Sequence, residues 1–372
     1  MKLTPFLFFF IPMVLFSQKE KYWYVFHEEV SENNAIGFKD NQGKIMLQPR
    51  FSPFTINQKF ERIIALNEDT DSQYTSYYVN KKGKKFGLDS LYVFDFTYDV
   101  ELEGHIRFST GRYLDSIGLF NAEGKITIEP IYNALSRVNN GLVIAKIGAK
   151  QVHEKHGGGC DHWSFEGGKE MVLDTLGKVL IDNFKDNDLH LNLYSLEITE
   201  QENTAKFRHN FIGADQKYYS FISYKEEFED FIFTNLKNIR KDNINDYLFL
   251  NLQQNKSKSK KKKQDQELWK ALASSKESQI SILDFTRFYI DYTNPEFIAS
   301  IEKYLDNANQ LIVEKYPVFE IQITTSNTMV NISFIRTEKG YKICDYSSHK
   351  YNSLPKPTEP PAVIEIQSKE GN

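Results

Sequence analysis

Cysteine is nearly absent from this sequence, with two among 372 residues. That number excludes a disulfide-dense small domain and a zinc module held by four thiolates. A large charge excess is also absent, because 46 Lys and Arg face 50 Asp and Glu, a net charge of −4. A chain that bound polyanions along its whole length would be strongly basic, so this composition disfavours that class.

The motifs of common enzyme classes are missing as well. The sequence contains no G-x-S-x-G, no P-loop, no G-x-G-x-x-G after a strand and no H-E-x-x-H. Asp284 and Asp291 are seven positions apart, on the expected wet edge of a helix. We therefore expect no enzymatic activity and no catalytic residues. The open alternative is an enzyme whose acid and base meet only in the fold.

The composition predicts a folded protein, since 40% of the residues are hydrophobic and 14% are aromatic. Its length suggests about two domains. Lys2 is followed by an apolar run over 5–16 and then by Ser17. This order is typical of a cleavable secretory signal peptide over 1–17. We expect a periplasmic or extracellular protein without integral membrane insertion, because no later run approaches 18 apolar residues.

Four segments of the N-terminal half repeat one pattern: apolar, Asp or Asn, two residues, Gly-Lys, then apolar residues alternating. The segments are 37–51, 78–84, 118–132 and 172–181. Their turn glycines are Gly43, Gly83, Gly124 and Gly177, with gaps of 40, 41 and 53 residues. Asp or Asn can close a turn with its side chain, and Gly adopts positive φ. Each segment therefore predicts a β-hairpin, and the period predicts a modular array over 18–212.

These segments resemble WG repeats, short β-repeats that occur in tandem in many secreted bacterial proteins. The family pattern starts with Gly and an aromatic or apolar residue, as at Gly37-Phe38 and Gly118-Leu119. It ends on Pro and an aromatic residue, as in 49–51 and 130–132. The resemblance covers about 33–185, with degenerate second and fourth copies. It implies a binding or scaffolding role and carries over no catalytic residues.

An insertion at about 150–168, between the third and fourth copies, is rich in metal-ligand types. His153, His156, Cys160 and His162 lie within ten positions, around three consecutive glycines. Imidazole and thiolate suit Zn²⁺ or Cu, so one interpretation is a metal site. The second is a plain hairpin tip that needs no cofactor. The third is a disulfide between Cys160 and Cys344 in an oxidising compartment.

The C-terminal half, 213–351, changes to helical spacing, which predicts an α+β domain and an α+β fold class overall. Helices are expected from about 221 to 252, again over 268–289, and from Pro295 to Ile312. A Lys-rich solvated loop separates the first two at 255–264. Alternating residues over 318–324, 329–336 and 341–347 predict a closing antiparallel meander. A Pro-rich disordered tail follows at 352–372.

The hairpin over 338–346 is similar to the last hairpin of NTF2-like, cystatin-like domains. Such domains can hold a pocket, with Phe319 and Phe334 as either lining or plain core residues. Together these features predict an exported, non-catalytic binding or scaffold protein that uses its β-hairpin surface. Its expected partner is a protein or glycan of the cell envelope and not nucleic acid. The alternatives are a metal-binding envelope protein and an enzyme with a C-terminal pocket.

Overall fold

The computed structural model describes residues 21–30, 33–52, 55–70, 73–94, 96–110, 116–154, 162–185, 190–239, 242–249, 268, 272, 279–283, 290, 292, 294–324 and 328–350. Several predictions fall on residues outside this set. They are the signal peptide at 1–17, the Lys-rich loop at 255–264, the carboxylates Asp284 and Asp291, and the tail at 352–372.

The described chain is mainly β, with 54% of its residues in strands and 12% in helices. The expected α+β class was therefore wrong, and the error lies in the C-terminal half. Residues 279–283, expected in a helix, form a strand that pairs along its whole length with residues 320–324. The helix expected to reach Ile312 ends at Ile301, where the chain turns through a 3₁₀ segment.

The described strands are β1 (Trp23–Val30), β2 (Asn33–Lys39), β3 (Ile45–Phe51), β4 (Lys59–Phe60), β5 (Ile63–Thr70), β6 (Gln73–Asn80), β7 (Lys85–Phe86), β8 (Val93–Phe94), β9 (Thr97–Tyr98), β10 (His105–Ser109), β11 (Ile117–Asn121), β12 (Ile126–Tyr132), β13 (Ala134–Leu135), β14 (Leu142–Ile147), β15 (Lys150–Glu154), β16 (His162–Glu166), β17 (Lys169–Asp174), β18 (Val179–Ile181), β19 (Leu191–Thr199), β20 (Arg208–Ile212), β21 (Tyr218–Ser223), β22 (Gln279–Leu283), β23 (Val318–Thr324), β24 (Thr328–Thr337) and β25 (Gly340–Lys350). Their sheet orders are β4-β1-β2-β3-β5-β6-β7, β8-β9, β10-β11-β12, β13-β14-β17-β18, β15-β16, β19-β21-β20 and β22-β23-β24-β25. All strand pairs within these sheets are antiparallel, as expected for hairpins joined in series.

Two α-helices are described, α1 (Tyr224–Asn235) and α2 (Pro295–Ile301). Both begin with a capping side chain, because Ser223 accepts the amide of Glu226 and Asn294 accepts that of Phe297. In the described part of the chain, no helix combines the length and apolar character needed to cross a bilayer.

The four turn glycines occupy the same position in four turns of the same type. Their φ angles are 83°, 77°, 70° and 81° at Gly43, Gly83, Gly124 and Gly177. Three positions earlier, an Asp or Asn oxygen accepts two backbone amides at 2.8–3.1 Å, in the order Asp40, Asn80, Asn121 and Asp174. The side chain thus satisfies the interior of the turn, and glycine takes the left-handed bend.

A fifth hairpin, between β20 and β21, uses the same turn without a glycine at the bend. The amide of Gly213 donates to the carbonyl of Lys217 at 2.8 Å, and Gln216 donates back to Gly213 at 2.9 Å. Gln216 adopts a φ of 66° at the position that glycine holds in the other copies. The expected boundary between 212 and 213 therefore falls inside this hairpin turn.

The same hydrogen bonds recur once more, at Asp306. Its Oδ1 accepts the amides of Ala308 and Gln310 at 2.9 and 3.0 Å. Asn309 donates to the Asp306 carbonyl at 3.0 Å and has a φ of 58°. Asn tolerates the left-handed region better than most residues, which explains why no glycine is needed.

The glycine that opens a repeat has a packing role. A Cβ on Gly37 would lie 2.8 Å from the Phe26 ring and 2.7 Å from the carbonyl oxygen of Leu47. A Cβ on Gly118 would lie 2.6 Å from the Phe108 ring, which comes from the paired strand β10. Glycine at this position therefore lets an aromatic ring of the preceding strand lie across the backbone.

Neighbouring repeats share their interiors. Tyr78 of the second copy packs with Phe120 of the third, with ring centroids 5.5 Å apart. The side-chain Nδ2 of Asn80 also donates to the carbonyl of Ala122 at 3.1 Å. Between the fourth and fifth hairpins, Ala214 donates to Leu180 at 2.8 Å. This arrangement matches an array in which no unit buries its apolar face alone.

The C-terminal sheet β22–β25 packs against α1. Phe319 and Phe334 are almost fully buried and lie against Phe228, with centroids 4.7 and 5.7 Å from that ring. These two aromatic residues are therefore part of the hydrophobic core.

Ion pairs join the segment after α2 to the repeats. Arg137 Nη1 lies 2.7 Å from Asp306 Oδ2, and its Nη2 lies 3.3 Å from Glu314. Lys59, in the first repeat, lies 2.9 Å from Glu302. The carbonyl of Asn307 also accepts the backbone amide of Lys59 at 2.9 Å. The segment therefore contacts both the first and the third copies.

Glu101 gives a pH-dependence prediction. Burial raises its pKa from 4.5 to about 7, although the amides of Arg62 and Ile63 donate to its carboxylate. The native state then binds more protons than the unfolded state between these pH values. We expect the free energy of unfolding to fall as the pH rises from about 4.5 to about 7 and to level off above. Glu101→Gln should flatten this slope, and urea titrations at several pH values measure it.

The control for this experiment is Glu129→Gln, which neutralises an exposed carboxylate in β12. It should leave the slope as in the wild type. An unchanged slope in Glu101→Gln would contradict the assignment.

Candidate functional site

The residues expected to bind metal are only partly described. Strands β15 and β16 form a hairpin in which His153 is opposite Trp163 and His162 is opposite Glu154. His156 and Cys160 lie outside the described residues. Among the residues that the structure does describe, no group of three His, Cys, Asp or Glu could hold an ion. The metal site therefore stays a prediction.

The disulfide alternative involves Cys344 on β25. This thiol is buried and has no disulfide partner among the described residues, and its Sγ lies 3.4 Å from the carbonyl oxygen of Ser333. Burial raises the pKa of Cys344 well above its ordinary value, so the thiol is held in its neutral form. Its expected partner Cys160 falls outside the described residues.

A groove of about 450 Å³ lies on the repeats, and we call it the repeat groove. Its lining comes from seven separated parts of the chain: Tyr92, Phe94, Arg107, Ile117, Asn133, Ala134, Leu135, Ser136, Ile144, Ala145, Lys146, Phe165 and Glu170. The two-residue strand β13 lies along it and is held by β14, with Leu135 opposite Ala145. The groove is therefore formed where the third repeat meets its neighbours.

Arg107 is the most constrained polar group of the repeat groove. Its guanidinium donates to Asp99 at 2.6 and 3.1 Å and to the carbonyl of Leu135 at 2.9 Å. It also lies over the Tyr92 ring, 4.3 Å from the centroid. Burial alone would lower the pKa of Arg107, but the Asp99 carboxylate raises it above its ordinary value. This side chain therefore holds the wall of the groove together as a permanent cation.

The other polar groups of the repeat groove are also bonded within the chain. Lys146 lies 2.9 Å from Glu170 in an ion pair across β14 and β17. Ser136 Oγ accepts the amide of Ile144 at 2.9 Å. Asn133 Oδ1 accepts the amide of Ala149 at 2.8 Å. These bonds hold the walls of the groove in place.

Apolar side chains provide the remaining surface of the groove that a ligand can contact. Ile117, Leu135 and Ala145 are buried at the base, whereas Phe94 at the rim is 61% exposed. Phe96, two residues along the same short hairpin, is 87% exposed. Phe94, which lines the groove, therefore leaves apolar surface uncovered at its rim. The arrangement can bind an apolar group by burial, with walls held by internal bonds.

Sequence reasoning missed this site. The predicted turn glycines lie at the hairpin bends, and none of the four lines the groove. Tyr92, Phe94 and Phe96 alternate over five positions, which is a signal for a strand with one aromatic face. Strands β8 and β9 have only two residues each, so this signal falls below the length at which a strand is predicted.

Comparisons with known proteins bear on this part of the chain. No curated protein matches the chain. Among solved structures, it is similar to the crystal structure of exotype rhamnogalacturonan lyase YesX, at 9% identity and a TM-score of 0.14. That match covers 87% of this chain and 50% of the lyase, so the chain spans half of that enzyme's length. A likeness this weak carries no information on activity.

A family model described as WG containing repeat matches residues 117–150. The match confirms the predicted WG-type repeat for the third copy. Residues 117–150 thus carry a WG-containing repeat, and most of the side chains that line the repeat groove belong to it.

Proposed function

We propose that this chain is an exported, non-catalytic binding protein whose repeat groove holds apolar side chains of a partner protein in the cell envelope. The observation that carries the proposal is the combination of bonded polar walls with an exposed aromatic rim. Export is supported by the basic and apolar start at 1–17. A protein recovered from the periplasm or medium with an N-terminus near Gln18 would support it, and retention in the cytosol would contradict it.

A protein partner fits the repeat groove better than a glycan does. A sugar presents hydroxyl groups that need donors and acceptors, whereas the Arg107 guanidinium, the Ser136 hydroxyl and Asn133 Oδ1 already bond within the chain. A leucine or aromatic side chain needs only apolar contact, which the base of the groove and Phe94 offer. Covering the exposed part of Phe94 would stabilise a complex by about 1–2 kcal/mol.

The same bonds support a non-catalytic role for the repeat groove. A general acid or base needs a proton-transfer group within reach of a substrate. Arg107 is a permanent cation bound to Asp99, and Lys146 and Glu170 neutralise each other. The groups of the repeat groove therefore position its walls, and the stacked repeats supply a firm support for binding.

The test is selection of binding peptides from a random dodecapeptide phage library on the purified chain, followed by calorimetry. Peptides that bind the repeat groove should bind Phe94→Ser about tenfold more weakly, because about 1.4 kcal/mol of apolar contact is lost. Leu176→Ser is the matched control, since Leu176 is 74% exposed on the turn of the fourth repeat. It should bind like the wild type.

Two results would overturn the proposal. One is a set of selected peptides whose affinities are equal for the wild type and Phe94→Ser. The other is a glycan array on which binding depends on Phe94 while no peptide shows that dependence.

A further inference from the structure

The hairpin turns of the first four repeats all end with a lysine that directly follows the turn glycine. All four turns are fully described, at 40–44, 80–84, 121–125 and 174–178. They carry six lysines and three carboxylates, whereas the whole chain has a net charge of −4. We define the lysine row as the five exposed lysines of these turns, which are Lys44, Lys82, Lys84, Lys125 and Lys178. The repeats therefore concentrate positive charge at their turns.

The second, third and fourth turns lie beside one another. The side-chain Nζ of Lys84 in the second turn donates to the carbonyl of Glu123 in the third turn at 2.9 Å. A Cβ on Gly177 in the fourth turn would lie 3.5 Å from the carbonyl oxygen of Thr127, just after the third turn. Stacking of the repeats thus places these turns next to each other in chain order.

The first turn joins the same edge through the start of β1. Lys81 Nζ in the second turn donates to the carbonyl of Lys21 at 2.7 Å. Lys81 also lies over the Trp23 ring, 5.1 Å from its centroid. Tyr24, next to Trp23, is opposite Lys39, and the first turn begins at the following residue. The lysine row therefore follows one edge of the array.

In the described part of the chain, no lysine of the row is in an ion pair, whereas eight other lysines are: Lys21, Lys59, Lys85, Lys146, Lys169, Lys206, Lys217 and Lys303. Lys217 holds the same position in the fifth hairpin, but it pairs with Glu200 at 2.7 Å. Asp40 and Asp174 accept backbone amides of their own turns. Glu123 is the one exposed carboxylate of the four described turns. The edge therefore attracts anionic partners.

Exposed aliphatic side chains lie beside these lysines. Ile45 follows Lys44 and is 45% exposed, and Ile126 follows Lys125 and is 47% exposed. Leu176, in the fourth turn, is 74% exposed. A soluble polyanion needs only cations, whereas an anionic bilayer also takes up apolar side chains at its interface. The combination favours a lipid surface over an acidic polysaccharide.

We propose that the lysine row binds the surface of an anionic phospholipid bilayer. Its ammonium groups pair with lipid phosphates, and Ile45, Ile126 and Leu176 contact the boundary between headgroups and acyl chains. The chain then lies on the membrane as a peripheral protein, held by charge and by shallow apolar contact. Each lysine that reaches such a surface strengthens binding about fivefold. The inference does not rest on the repeat groove, whose lining includes no lysine of the row.

Flotation of the full chain with lipid vesicles tests the proposal. The chain should float with vesicles of equal parts phosphatidylglycerol and phosphatidylcholine and should not float with phosphatidylcholine alone. Salt at about 0.5 M should release it, because the attraction is screened. Lys82→Gln/Lys125→Gln should bind about 25-fold more weakly, whereas Lys225→Gln/Lys339→Gln should bind like the wild type. This control makes the same change in net charge outside the four turns.

A further pair of variants tests the apolar contact. Ile126→Ser should bind the anionic vesicles about fivefold more weakly, because apolar area is lost from the interface. Val313→Ser is the matched control, since Val313 is 48% exposed on the segment after α2. It should bind like the wild type. Urea midpoints check that each variant is folded.

Three results would overturn the proposal: no flotation with the anionic vesicles, equal flotation with neutral vesicles, or equal binding by the two double lysine variants. An unchanged affinity of Ile126→Ser would assign the row to a soluble polyanion, such as an acidic polysaccharide or single-stranded DNA, and would overturn it as well.

The lysines at 256–263 need a separate control, because a basic run can bind anionic lipid by itself. A chain in which serine replaces them should still float, and loss of flotation would assign membrane binding to that run and overturn the proposal. Phe94→Ser should float like the wild type, so failure here is distinguishable from failure of the repeat groove.

Discussion

Arg137→Met is expected to lower the free energy of unfolding by about 3–5 kcal/mol. Arg137 pairs with Asp306, whose side chain is 1% exposed, at 2.7 Å. Methionine keeps much of the apolar packing of the arginine stem but leaves the Asp306 carboxylate buried without its cation. Oδ1 of Asp306 still accepts two backbone amides, but Oδ2 loses its hydrogen bond from the arginine. Urea unfolding followed by circular dichroism gives the midpoint and slope that measure this loss.

The control for Arg137→Met is Lys169→Met. Lys169 and Asp182 also form an ion pair, but their side chains are 45% and 62% exposed. Its loss should cost less than about 1 kcal/mol, because exposed pairs contribute little. Adding Asp306→Asn to Arg137→Met should recover part of the stability, since the buried charge is removed. Equal midpoints for Arg137→Met and Lys169→Met would contradict the buried-pair explanation.

Gly124→Ala is expected to destabilise the fold by about 3 kcal/mol, the second large effect. The φ of Gly124 is 70°, where an L-residue is strained by about 1–2 kcal/mol. An added Cβ would also lie 2.5 Å from the Phe86 ring of the preceding repeat, near the base of that side chain. The ring cannot move away easily because it packs on Tyr78 and Phe120.

Gly43→Ala separates the two contributions to this effect. Gly43 has a φ of 83°, and an added Cβ would meet nothing within 4 Å. Its cost should therefore be the backbone strain alone, about 1–2 kcal/mol. Thermal and urea unfolding of both variants measure the difference. Equal losses of stability in the two variants would show that contact with the Phe86 ring adds nothing to the cost of Gly124→Ala.

The hairpin turns could be predicted from sequence because each one is specified locally. An Asp or Asn, a glycine and a lysine within five residues determine the side-chain acceptor and the left-handed bend. The fifth hairpin escaped notice because Gln216 replaces the glycine and Gly213 replaces the acceptor. The turn at Asp306 has the acceptor, but Asn309 stands in the glycine position. Both turns therefore keep backbone hydrogen bonds of the repeat turn although they lack its residue pattern.

The C-terminal half and the repeat groove depend on distant contacts, so the sequence predicts them poorly. Strand β22 has only five residues, and its apolar positions also fit one face of a helix. Pairing with β23 decides the outcome. In the same way, Phe94 and Leu135 meet at one groove although 41 positions separate them. No pattern of neighbouring residues indicates that these two side chains come together.

The contacts of Lys59 have a consequence for how the molecule comes apart. Open solenoids fray from their terminal units, because an end unit has only one neighbour. Here Lys59 of the first unit bonds to Glu302, 243 positions later in the chain. Opening the first unit therefore also breaks the attachment of the segment after α2. The amides of these two regions should therefore lose their protection against hydrogen exchange together, in one cooperative opening.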